Sequence, residues 1–294
     1  LPLWGMKNGR VLQIYPSAWE INRSYVIKRY ENKEQIERNS KISKLLSECG
    51  IPIAEIVPVR NGESYAAHND AWFLMSKKLE GNNISDRKDQ TMAYKMGCAI
   101  ARLHSAFLTC EKKMEFWDNS LLKEMKGWVQ ETFIRNEWQI VGQEEYAGAV
   151  EKLEAVYDSL PVQLIHRDVH FGNFLFSGGE LSGYIDFDLS QRNIRIFDVC
   201  YFLTGLLSEE TDDAFTQREW LASVKSVFAG YESVNPLSEK EKQAVPCVMV
   251  CIEMLCAAYF IRVKDVKRAG EACLICRRIQ NCESAVCASV RGFV

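Results

Sequence analysis

The hydrophobic positions change period along the chain. Val11–Tyr15 and residues 24–30 are short runs of aliphatic and aromatic residues, as strands are. Residues 32–49 are polar with apolar points at Ile36, Ile42, Leu45 and Leu46. That spacing predicts a helix, closed by Gly50 and then Pro52. Two more strands are expected at residues 56–60 and 71–76, with Asn61-Gly62 as a turn signal. After Glu80-Gly81 the pattern turns helical, over residues 92–107, 120–133 and 144–160. A short strand-rich patch follows at 164–187, and residues 197–278 are mostly helix. The expectation is an α+β chain with a small sheet-rich lobe over residues 1–79 and a larger helical lobe over 80–294.

Composition narrows the class. Of 294 residues, 47% are hydrophobic and 26% charged, an ordinary globular balance that excludes a disordered chain. A net charge of -3 gives no basic surplus for a nucleic-acid partner. The 11 cysteines are scattered, and Cys247, Cys251 and Cys256 sit in apolar sequence. They read as reduced thiols of a cytoplasmic protein, and Leu1-Pro2-Leu3-Trp4-Gly5 shows no export signal. Residues 245–261 are the most apolar run, but Pro246 and Glu253 interrupt it; a buried core helix is expected rather than a membrane anchor. A buried Glu253 needs a partner, expected to be a basic side chain before a cationic substrate group. Cys273 and Cys276 read as neighbours on one helix face rather than zinc ligands with Cys282 and Cys287.

The chemistry concentrates in Leu164-Ile165-His166-Arg167-Asp168-Val169-His170-Phe171-Gly172-Asn173-Phe174-Leu175-Phe176. An Asp stands five positions before an Asn, and Asp186 follows in Tyr184-Ile185-Asp186-Phe187-Asp188. Phosphoryl transfer to an alcohol needs a carboxylate beside the attacking hydroxyl and oxygen ligands that hold magnesium on the phosphates. A loop carrying Asp168 and Asn173, with a hairpin partner carrying Asp186, supplies both.

With these residues the sequence resembles the aminoglycoside phosphotransferase and choline kinase group, relatives of protein kinases. The resemblance implies a two-lobed protein-kinase-like fold, ATP and Mg2+ as cofactors, and a small-molecule acceptor. It makes Asp168 the catalytic base and Asn173 and Asp186 the metal ligands. It assigns His166 to the bracing of the catalytic loop, with Asp198 of Phe197-Asp198 as a further buttress, and Leu175 to the floor beneath adenine. Leu103-His104 matches the end of the family's first large-lobe helix, and Phe228-Ala229-Gly230-Tyr231 is similar to the homoserine kinase-like branch. In the small lobe, Lys28 of Val26-Ile27-Lys28 resembles the lysine on the ATP phosphates. Glu34 and Glu37 are both available as its partner, and Glu37 is preferred. Backbone groups of Lys77 and Leu79 would pair with adenine. Residues 16–23 hold no glycine, so a looser loop is expected over the phosphates.

Asp186 and Asp198 are twelve residues apart, with no Ala-Pro-Glu beyond, which leaves no room for the activation segment of a protein kinase. A catalytically silent relative is the other alternative. The acceptor pocket is expected from residues 116–160 and the C-terminal helices, which are rich in aromatics (Phe116, Trp117, Trp128, Trp138, Tyr146, Tyr201 and Tyr259), with most of these rings read as core. The tail at 289–294 has no acidic side chain, which argues against a polycationic drug. An amino alcohol, an amino acid or a sugar-like alcohol stays open, as does monomer against dimer.

Overall fold

The computed structural model describes residues 1–82, 84, 86–208 and 214–292. Phe293 and Val294, the end of the tail considered above, lie outside the described residues. In chain order the elements are β1 (Val11–Tyr15), β2 (Ala18–Ile21), β3 (Tyr25–Tyr30), α1 (Lys33–Glu48), β4 (Ala66–His68), β5 (Ala71–Lys77), α2 (Gln90–Glu111), α3 (Leu121–Glu124), α4 (Gln130–Arg135), α5 (Gln143–Tyr157), β6 (Val162–Ile165), β7 (Phe174–Ser177), β8 (Glu180–Tyr184), β9 (Gln191–Ile194), α6 (Ile196–Gly205), α7 (Gln217–Glu232), α8 (Glu239–Arg262), α9 (Val266–Asn281) and α10 (Glu283–Val290). They divide into two compact units: residues 1–84 with 171–189, and residues 85–170 with 190–294.

The first unit is an antiparallel sheet in the order β1-β2-β3-β5-β4. Residues 16–23, expected as a loop, are mostly strand β2. Only Pro16 and Ser17 turn the chain before it, and Asn22 and Arg23 turn it after, at φ 53° and 61°. Asn69 and Asp70 (φ 47° and 57°) make the same kind of turn between β4 and β5. Such left-handed pairs match the twist of the strands they join, and Asn and Asp tolerate them best. The strand expected at 56–60 is reduced to a single bridge from Ile56 to Ser76.

Helix α1 is capped by the Asn32 side chain, which accepts the Glu34 N–H, and Gly50 ends it at φ 75°. It buries Ile36, Asn39, Ile42, Leu45 and Leu46. The β7–β8 hairpin joins this unit through backbone bonds from Asn82 to Phe176 and from Tyr184 to the Pro52 carbonyl.

The second unit is built on α2 and α7. Gly97 makes their close approach possible, because a Cβ there would strike the Val227 carbonyl; Gly230 answers it against the Tyr94 carbonyl. Strands β6 and β9 pair antiparallel. The helix expected over 120–133 is broken at Gly127 (φ -106°, ψ -113°) into α3, a wider turn over Met125–Val129, and α4. Helix α8 is long and apolar enough to cross a membrane by length and composition, and its window is 67% buried, as in a core helix. Glu253 on α8 is buried near the Thr204 side chain, and among the described residues it forms no ion pair with the basic partner expected from sequence. Burial pushes its pKa up to about 7.

Candidate active site

In the second unit, Asp198 enters the first turn of α6 fully buried. Its Oδ2 accepts the His166 N–H at 2.8 Å and its Oδ1 accepts the Arg167 N–H at 2.8 Å. His104 Nε2 donates to Oδ2 at 2.9 Å, since a carboxylate oxygen only accepts. The other ring nitrogen, Nδ1, then receives the Tyr231 hydroxyl at 2.8 Å. One carboxylate therefore fixes two successive peptide groups, and the next residue is Asp168. His166 Nδ1 accepts the Asp168 N–H at 3.3 Å.

Arg167 stands in the left-handed region at φ 73°, where a residue without Cβ would be free of strain. Contacts hold the arginine there: Nη2 bonds Glu124 Oε2 at 2.8 Å, and the guanidinium lies 4.4 Å from the Phe197 ring centre. Glu124 also accepts from Trp128 Nε1 at 3.3 Å. Asp168 receives the Tyr201 hydroxyl on Oδ1 at 3.4 Å, and His170 Nε2 lies 3.7 Å from Oδ2.

In the first unit, Asn173 is buried in a single turn of 3-10 helix, and its carbonyl accepts the Ile185 N–H at 3.0 Å. That bond sets the backbone leading into Asp186, which takes φ 63°. The Lys28 ammonium lies between two carboxylates, 2.9 Å from Asp186 Oδ1 and 2.6 Å from Asp188 Oδ2. Burial works against the Lys28 charge, but Tyr30, Asp188 and Asp186 outweigh it and raise its pKa above the ordinary value. Burial likewise raises the Asp188 pKa, with Lys28 opposing.

Glu37 is not joined to Lys28. It is exposed, accepts from the Tyr65 hydroxyl at 2.7 Å and pairs with Lys33 at 3.3 Å. From the same helix Asn39 donates to Asp188 Oδ1, and Arg38 Nη2 reaches the Asp188 carbonyl at 2.9 Å. Sequence reasoning passed over both, although a polar Asn39 inside the apolar stripe of α1 was the available signal.

Leu79 packs on Gly183, where a Cβ would come within 2.5 Å of its side chain, and Gly183 pairs with Leu175 across the hairpin. Leu79 and Leu175 thus meet at one glycine. The Lys77 N–H is taken by the Glu55 carbonyl at 2.8 Å, which leaves the Lys77 carbonyl, not its amide, to consider for adenine. Of the aromatic residues in the expected pocket segment, Trp138 and Tyr146 pack on Phe133 and on each other.

Residues 16–237 match the phosphotransferase enzyme family. A homoserine kinase of Agrobacterium fabrum is 38% identical over 87 residues, 30% of this chain and 26% of the relative. One from Rhizobium etli is 32% identical over 201 residues, 67% of this chain and 59% of the relative. The chain thus spans less than two thirds of either relative. An amicoumacin kinase solved with AMP-PNP and Ca2+ superposes with a TM-score of 0.68 at 16% identity, over 93% of this chain and 88% of that one. The last likeness is one of fold, that of a protein-kinase-like phosphotransferase with a sheet-rich N-terminal part and a helical C-terminal part. The match over residues 16–237 includes the braced loop at His166, Arg167 and Asp168, and the chain belongs to the phosphotransferase enzyme family.

Proposed function

We propose that this protein transfers the γ-phosphoryl group of ATP to the hydroxyl of a small molecule in the cytoplasm. Asp168 is the general base. Lys28 neutralises ATP phosphate charge, Leu175 lies under adenine, and the Lys77 carbonyl and Leu79 amide pair with its edge. Glu37 has no part in this set, because its partners are Tyr65 and Lys33.

The observation that carries the reading is the Lys28 ammonium held by Asp186 and Asp188. Carboxylate oxygens that hold a cation suit a hard divalent ion, and magnesium in kinases takes one or two such ligands with the rest from phosphates and water. Asn173 and Asp186 are the residues that would hold Mg2+. When bound, the ion offsets the charge that builds up on the phosphates. The relatives named as homoserine kinases favour an amino-acid alcohol as acceptor.

The test is Asp168→Asn, which keeps the shape of the side chain but cannot take a proton. ATP binding should be retained and transfer to L-homoserine, ethanolamine or an aminoglycoside should fall by a factor on the order of 10². Transfer at the wild-type rate would remove Asp168 from the chemistry. ADP release across this acceptor panel from the wild-type protein identifies the acceptor class; release with none of them would favour the silent alternative.

A further inference from the structure

We propose that Tyr201 is a positioning residue for Asp168: its phenol, bonded to Oδ1, helps fix the rotation of the carboxylate that receives the acceptor's proton. The inference deepens the proposed function and rests on Asp168 being the base. It starts from the spacing of α6. Asp198 and Tyr201 are three residues apart, so both fall on one face of that helix. The first turn of α6 holds the backbone before Asp168, through the bonds from Asp198 to His166 and Arg167. The second turn holds the Asp168 side chain, through the Tyr201 hydroxyl at 3.4 Å. A single rigid helix thus sets both the position and the rotation of the carboxylate.

The tyrosine is itself fixed. Its ring lies near-parallel to Phe197, with centroids 5.9 Å apart and planes at 14°. Phe197 also meets the Arg167 guanidinium, whose pairing with Glu124 is almost wholly buried, at 13% and 9% side-chain exposure. The residue before Asp168 and the residue bonded to its carboxylate therefore lean on the same aromatic ring. Tyr201 also stays a donor. Burial, the neighbouring Cys256 and Asp168, and Glu253 behind it all push its pKa above the ordinary value. His170 is half exposed, with Nε2 3.7 Å from Oδ2.

Tyr201→Phe keeps the ring and its stacking and removes only the hydroxyl. The first readout needs no acceptor: the Asp168 side-chain carboxyl is titrated by carbon-13 NMR in the full chain. Loss of a donor disfavours the charged carboxylate, so Asp168 should titrate at higher pH in the variant than in the wild type. The second readout uses L-homoserine as the acceptor probe with Mg-ATP. A lost hydrogen bond to a charged group should lower kcat by a factor of about 10 or more, with KM little changed. Identical titration curves would overturn the proposal. So would a raised KM with unchanged kcat, which would make Tyr201 an acceptor contact. Asp168→Asn measured alongside separates the two claims: full transfer there sinks Asp168 as the base, whereas an inactive Asp168→Asn beside an unaltered Tyr201→Phe sinks only the role of Tyr201.

Discussion

Replacing Asp198 by Asn changes one atom and should cost the protein much of its stability. The carboxylate is fully buried and accepts three donors: the His166 and Arg167 amides and His104 Nε2, all between 2.8 and 2.9 Å. Asparagine offers one oxygen and one amide group. With its oxygen placed where Oδ2 stands, it serves His166 and His104, and its NH2 then points at the Arg167 N–H. One charge-assisted bond is lost outright, at about 1.5–3 kcal/mol, and two become neutral bonds of roughly half the strength. The expected loss is about 3–4 kcal/mol, a large part of the 5–15 kcal/mol typical of a folded protein. In urea unfolding, with a slope near 3 kcal/mol/M, the midpoint should fall by about 1 M. Activity should fall further than stability, because the Arg167 amide bond also helps hold φ at 73° beside Asp168. A variant with the wild-type midpoint would show that Asp198 does not carry the loop.

Two other outcomes are expected. Glu253 has its folded pKa raised from an ordinary 4.5 to about 7, so the folded state keeps a proton that the unfolded chain releases. Its contribution is fully present below pH 4.5 and is lost as pH rises through 7, in all about 3 kcal/mol; Glu253→Gln should flatten this part of the melting temperature profile between pH 5 and 8, and an unchanged slope would place the titration elsewhere. Gly97→Ala should cost about 1–3 kcal/mol by forcing α2 from α7 at the Val227 carbonyl, so an unaltered melting temperature would contradict the close packing.

The large elements were legible because their periods are strong. Val11–Tyr15 coincides with β1, and the apolar points of α1 are its buried face. Strand β2 was not, because the turns at Pro16-Ser17 and at residues 22–24 leave only four residues between them for a strand. The break at Gly127 was hidden inside an otherwise helical pattern, since a lone glycine in a helix is often tolerated. In the site, the loop residues were readable from spacing alone because they lie close together in sequence. Contacts made over long separations were not. Asn39 and Asp188 are 149 positions apart, and Arg167 and Glu124 are 43 apart.

The partner of Lys28 shows why such contacts matter. A lysine on a strand beside a helix with glutamates suggests an exposed ion pair, and Glu37 satisfies that pattern on paper. The chain instead sends Lys28 to Asp186 and Asp188 and leaves Glu37 to Tyr65 and Lys33. Exposed pairs contribute little, so Glu37 has little hold on the lysine. Asp188 has more, because it is partly removed from water and is already fixed by Asn39 and Arg38 from α1. Helix α1 therefore acts on Lys28 through Asp188 rather than through its own glutamates. Under the proposed function, a metal ion held by Asp186 would compete with this ammonium, whereas Asp188 would keep its share. The lysine is thus held by a carboxylate fixed from α1 on one side and by Asp186 on the other, an arrangement that suits the role proposed for it at the nucleotide phosphates.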